Sequence, residues 1–203
     1  YRRQRQMCIR DRAGFGMVLA LMVLVTSLGI GQMNKADELT EKLTNQSFHR
    51  VALLQEWQSI IEVNAARTLA AIKLADPADE KFFLDSISIS SKRSDVLHKE
   101  ITASIEGDAG LVALFDAVDK ERNAYREARK RALAMKAEGD AEGVRKFLDS
   151  EMVPRVQSYI ASLRAMVEYQ QKTAAADAAR LQEEFEASRR LQIGLVITAL
   201  LAG

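Results

Sequence analysis

Between residues 34 and 190 apolar positions recur at steps of three and four, the spacing that keeps one face of a helix dry. Only four glycines and two prolines interrupt this stretch, and they fall in clusters. Asp76-Pro77 closes one pattern and opens the next, with Asp76 placed to cap a helix and Pro77 at its first position. Gly107-Asp108-Ala109-Gly110 and Gly139-Asp140 are the second and third breaks, each offering an Asp cap. Four helices are therefore expected, roughly over 34–76, 78–106, 110–138 and 141–190. Pro154 predicts a kink in the last of them, or its true beginning.

The stripes agree with this division. Leu43, Leu54, Trp57, Ile61, Ala65, Leu69 and Ile72 share a face of the first segment; Leu111, Phe115 and Val118 start the third. Val156, Ile160, Leu163, Val167, Gln170, Ala174, Leu181 and Phe185 run down the fourth. The run SISISS, Ser86–Ser91, has the period of a strand, but it lies inside a longer helical stripe of Phe83, Ile87, Leu97 and Ile101 and is read as helix. Short loops force neighbouring helices to run antiparallel, so the expected architecture is an all-α, up-down four-helix bundle whose first and fourth helices share an end.

Both flanks of that bundle are apolar. Ala13 to Met33 holds 21 residues without a charge, about 30 Å of helix and enough to cross a bilayer core, whereas a cleaved signal peptide has a shorter apolar stretch and a clear cleavage site. Leu191 to Gly203 covers roughly 20 Å. It is expected to be the start of a second membrane helix that is cut short. The chain then reads as membrane helix (13–33), bundle (34–190) and truncated membrane helix (191–203).

The segment ahead of residue 13 changes the charge. Arg2–Arg12, RRQRQMCIRDR, back-translates to a transposase adapter used in DNA-library preparation, so residues 1–12 are expected to be an artefact and are set aside. They hold five of the 29 basic residues and one of the 28 acidic ones; 24 and 27 remain, and the net charge moves from +1 to −3. A basic, nucleic-acid-seeking function loses its support, as does an orientation argument from the basic N-terminus. Cys8, the single cysteine, goes too, which excludes disulfides and cysteine-metal sites.

Catalysis finds no candidate. The sequence has no Gly-rich phosphate loop and no H-E-x-x-H, and its two histidines, His49 and His98, fall on different helices and read as solvated. The clusters KRSD (Lys92–Asp95) and RKR (Arg129–Arg131) mix with acidic neighbours and read as solvated faces. No enzyme activity, metal or cofactor is expected.

One constellation breaks the apolar pattern. Beyond Val118 the stripe of the third helix reaches Arg122, Tyr125 and Arg129, where apolar residues belong, and a buried guanidinium needs a carboxylate partner, water or a charged ligand. Ser90 and Ser94 replace large residues on the second helix; Asn64 and Thr68 occupy the facing line of the first, with Arg67 beside them. Asn64 lies twelve residues from Asp76, Ser90 thirteen from Pro77 and Tyr125 thirteen from Glu138, so three helices place polar groups at one height. Two guanidiniums and a phenol converging there suit a small carboxylate. The competing reading has the arginines snorkelling to water or pairing with Glu121, Glu127 or Asp116.

The apolar GFGMVLALMVLVTSLGIGQM running straight into a bundle helix, VNAAR (Val63–Arg67), and AEGDAEGVRKFLDSEMVPRVQSYIASLRAMVEYQQ from Ala137 to Gln171 together resemble the sensory part of bacterial methyl-accepting chemotaxis proteins with a periplasmic four-helix-bundle ligand-binding domain. The resemblance covers residues 13–203. It implies a homodimer packed along the first helix, anchored in the inner membrane, with a small-molecule ligand (an organic acid or amino acid) bound in the periplasm and a signal carried across by the fourth helix. It also implies that an Arg-x-x-Tyr-x-x-x-Arg pattern, here Arg122, Tyr125 and Arg129, takes organic acids. Two alternatives stay open: the same bundle heading a membrane histidine kinase or diguanylate cyclase, and a structural membrane coiled coil without a ligand.

Overall fold

A computed structural model describes residues 2–42 and 47–202, with side chains for residues 16, 19–20, 22–38, 40–41 and 47–198. Among these the chain forms six α-helices and no strand: α1 (Arg2–Lys42), α2 (His49–Lys73), α3 (Pro77–Ser104), α4 (Ala109–Ala137), α5 (Ala141–Phe147) and α6 (Val153–Ala202), with a π-helical turn at Leu148–Met152. They divide into two compact units, a bundle over Gln46–Ala174 and a helix pair made of Tyr1–Asn45 and Ala175–Gly203. The bundle unit is narrower than the 34–190 stretch expected from composition, and α1 passes residue 34 without a break.

Three acidic caps set the bundle's turns. Asp76 accepts from the Ala78 amide at 2.7 Å with Pro77 in the first helical turn; Asp108 accepts from Leu111 at 3.0 Å and Asp140 from Gly143 at 2.8 Å. Each satisfies an amide that has no partner inside its own helix. Gly107 and Gly139 take positive φ, +89° and +80°, a backbone conformation that strains any residue with an L side chain. SISISS lies within α3, as its surrounding stripe predicts.

Pro154 lies in the first turn of α6, which starts at Val153, and so marks the true beginning of that helix. In an α-helix its ring would strike the carbonyl four residues back. The π-helical turn Leu148–Met152 stands just ahead of it, with the Val153 amide reaching the Leu148 carbonyl, so the wider turn takes up the ring. The fourth member of the bundle is thus composite: α5, the π-turn and α6.

α2 and α3 are joined by Trp57 Nε1 donating to Ser94 Oγ (2.9 Å) and by a two-pronged Arg93–Glu56 contact. α3 meets α4 through Arg122–Asp95 and Lys136–Glu80 (2.7 Å). α6 returns alongside α2, with Gln170 Nε2 on the Ser47 carbonyl and Arg164 3.2 Å from Glu62. Lys136 also donates to the Ala71 and Leu74 carbonyls, where the C-terminal dipole of α2 attracts a cation. The core is apolar at both ends: Leu54, Trp57, Leu97, Ile101 and Leu163 toward one, Ile72, Ala132, Leu148 and Met152 toward the other.

In the second unit Gln32 accepts from Ser188 Oγ and from Gln192 Nε2, the latter at 2.9 Å, and Lys35 pairs with Glu184 at 3.2 Å. A groove of about 710 Å³ opens between the two helices beside Gly29, Met33 and Phe185. Large apolar side chains face outward on both helices, among them Met22, Val23 and Ile30 on α1 and Leu191 and Ile193 on α6. Among the described residues no helix is long and apolar enough to cross a membrane. The side chains at 13–15, 17, 18 and 21 of the first expected span, and at 199–203 of the second, lie outside those described, as does Leu43 of the α2 stripe.

Candidate functional site

Four of the eight residues singled out in the sequence meet as one hydrogen-bonded layer in the bundle. Thr68 is completely buried and donates to the Asn64 carbonyl at 2.7 Å. Its single proton is thereby committed, so the 2.9 Å contact between Thr68 Oγ1 and Tyr125 Oη has the phenol as donor. Ser90 Oγ stands 2.6 Å from Asn64 Oδ1 and 2.9 Å from the Ser86 carbonyl, two acceptors sharing one proton. α2, α3 and α4 thus converge at the height reached by counting residues from the turns. Asn64 and Tyr125 are themselves buried.

The other four diverge. Ser94 is buried but receives the Trp57 indole N–H. Arg67 is half-buried and makes no ion pair or side-chain hydrogen bond among the described residues. Arg122, whose side chain is 15% exposed, donates to Asp95 at 2.6 Å and lies 3.9 Å from Asp119. These partners replace Glu121, Glu127 and Asp116, the carboxylates weighed for it from sequence: Asp95 reaches over from α3, and Asp119 sits one turn earlier on α4. Arg129 makes no ion pair among the described residues, and its guanidinium carbon stands 5.8 Å from the centre of the Tyr125 ring, at cation–π distance.

The two arginines therefore differ chemically. Arg122 already faces two carboxylates, and an incoming anion there has to displace Asp95, the more solvent-exposed of the pair. Arg129, half-buried beside the phenol, has its hydrogen-bonding fork uncommitted.

Sequence reasoning missed two residues. His98 is not solvated: its ring packs edge-on to Trp57 (5.6 Å between centroids) and against Phe115 (4.8 Å), with Nε2 2.7 Å from Asp119 Oδ1. Its step of four from Ser94 was the available signal. Tyr159 on α6 is 1% exposed, its ring 5.7 Å from that of Tyr125, and its hydroxyl has no hydrogen-bond partner among the described residues. Burial pushes that hydroxyl's pKa well above the ordinary tyrosine value, with Arg122 pulling the other way, so the phenol keeps its proton. Its signal was the seven-residue spacing Met152, Tyr159, Met166, all three buried.

Among the described residues no group of three His, Cys, Asp or Glu side chains is placed to hold a metal ion. What remains is a layer of hydroxyls and one amide, roofed and floored by apolar residues and edged by guanidiniums.

Residues 12–185 match the family described as a four helix bundle sensory module for signal transduction, found in methyl-accepting chemotaxis proteins. The chain belongs to this family. The match spans the whole bundle and reaches into both helices of the second unit, so the bundle is a sensory module and the chain serves signal transduction of the chemotaxis type. No curated protein matches the chain.

Proposed function

We propose that this chain is the input module of a homodimeric inner-membrane chemoreceptor, that it takes a small carboxylate-bearing molecule in the polar layer of its periplasmic bundle, and that it catalyses nothing. Arg129 carries the reading: a half-buried guanidinium without a carboxylate partner among the described residues, beside a phenol fixed by Thr68. A carboxylate on Arg129 lies next to Tyr125, and Arg122 joins once Asp95 yields to water. Membership of a sensory family supports the same conclusion. The membrane anchor rests on the uncharged stretch from residue 13 to residue 33 and on apolar side chains turned outward from both helices of the second unit. In this reading the signal leaves along α6.

The test is titration of the chain with acetate, succinate and malate, each alone, in wild type, Arg129→Ala and Arg122→Ala. A charge-assisted hydrogen bond contributes about 1.5–3 kcal/mol, so Arg129→Ala weakens binding by roughly ten- to a hundredfold. Arg122→Ala has a smaller effect, because its guanidinium is already matched by Asp95. Affinities left unchanged in both variants refute the site.

A further inference from the structure

Every hydroxyl in or beside the polar layer but one has a protein partner. Thr68 bonds the Asn64 carbonyl, Tyr125 bonds Thr68, Ser90 bonds Asn64 and Ser94 bonds Trp57. Tyr159 has none among the described residues, although it is nearly as deeply buried as Thr68 and more so than Tyr125 or Ser94. A buried donor left unbonded destabilises a fold, and phenylalanine would fill the same space without that penalty. The hydroxyl therefore points to an acceptor outside the folded chain. The charge of that acceptor follows from the carboxylate site proposed above, because Arg122 is itself matched by Asp95 and Asp119 and leaves no clear excess of positive charge there. Because burial keeps the phenol protonated, it remains a donor across the physiological range.

We propose that Tyr159 is the contact through which α6 takes part in ligand binding, its hydroxyl donating to a carboxylate oxygen of the ligand held beside Tyr125. This rests on the carboxylate site proposed above and extends it: α2, α3 and α4 supply the layer, and Tyr159 adds the fourth member of the bundle. A ligand in this position bonds the helix that runs on to Ala202, so occupancy changes a contact of α6 itself instead of only its neighbours.

The experiment compares wild type with Tyr159→Phe in two measurements on the full chain. The first is urea unfolding followed by the fluorescence of Trp57, the one tryptophan in the sequence, completely buried in the bundle. The second is titration with acetate, succinate and malate. In the absence of ligand the phenylalanine variant unfolds at an equal or higher urea concentration, because an orphaned donor has been removed. Its affinity for the best-bound probe falls about tenfold. Affinity equal to wild type overturns the assignment of Tyr159 while Arg129→Ala still reports on the site. A lower urea midpoint means that the hydroxyl is already bonded within the folded protein, and overturns it as well. If none of the three carboxylates binds the wild type saturably, the site and the Tyr159 contact fall together.

Discussion

The Thr68–Tyr125 hydrogen bond links diagonal helices across the bundle, and a double-mutant cycle measures it directly. Thr68→Val keeps the shape of a completely buried side chain but removes the acceptor of the Tyr125 hydroxyl, itself buried. The orphaned donor costs about 1–2 kcal/mol. Tyr125→Phe costs less, about 0.5–1 kcal/mol, because Thr68 still donates to the Asn64 carbonyl and loses only an incoming bond. With both changes made no donor is stranded, so the double variant lies near the milder single variant. The coupling energy is then about 1 kcal/mol or more. Urea unfolding followed by Trp57 fluorescence reads all four proteins; with slopes of about 1–3 kcal/mol per molar urea, Thr68→Val lowers the midpoint by roughly half a molar or more. Strictly additive single effects would refute the argument, since two hydroxyls that bond one another within a dry core cannot lose their partners independently.

Two further outcomes follow from local structure. Gly139→Ala forces a side chain onto a residue at φ +80° and destabilises the bundle by about 1 kcal/mol in the same unfolding assay; Gly139→Asn, which tolerates that conformation, costs less. Above about pH 10 unfolded tyrosines ionise while folded Tyr159 keeps its proton, so the unfolded state is favoured progressively as pH climbs toward the raised folded value. Urea midpoints taken at about pH 8 and about pH 11 fall further in wild type than in Tyr159→Phe, and equal falls would show that the phenol is not buried as described.

The fold was legible because its punctuation is local. An aspartate that caps the next helix and a glycine that takes positive φ act within a few residues, so Asp76-Pro77, Gly107-Asp108 and Gly139-Asp140 announce turns without reference to the rest of the chain. The height of the polar layer was legible for a related reason: short turns fix where each helix starts, and counting from them puts Asn64, Ser90 and Tyr125 level. The direction each side chain takes was not. Arg122 and Arg129 sit two helical turns apart on one stripe with the same chemistry, yet one reaches Asp95 and the other rests against Tyr125. That choice depends on a carboxylate of a neighbouring helix standing within reach, and a one-helix pattern does not contain it. Tyr159 was lost by a smaller error. A stripe drawn through Val156, Ile160 and Leu163 runs beside the seam Met152, Tyr159, Met166, and a helix face wide enough to pack against two neighbours holds both.

The composition of the layer bears on the ligand site proposed for it. Along α2 it is preceded by Leu54, Trp57 and Ile61 and followed by Ala71 and Ile72; along α4 by Leu111, Phe115 and Val118, then Ala128 and Ala132. The apolar residues to either side supply the transfer free energy that holds the bundle together, about 25 cal/mol for each Å² removed from water. The hydroxyls add little net stability, about 1 kcal/mol for each bond, but each remains costly to strand. An interior of this kind is stable in outline and nearly balanced within one layer, since a bond to Thr68 or Asn64 exchanged for one to a carboxylate changes the total by a small amount of either sign. An all-leucine layer would be more stable but would give a carboxylate nothing to bond. On the proposed reading the polar residues weaken the bundle locally at the height where it must respond, and Arg129 and Tyr159, two groups without hydrogen-bond partners among the described residues, decide which ligand makes it do so.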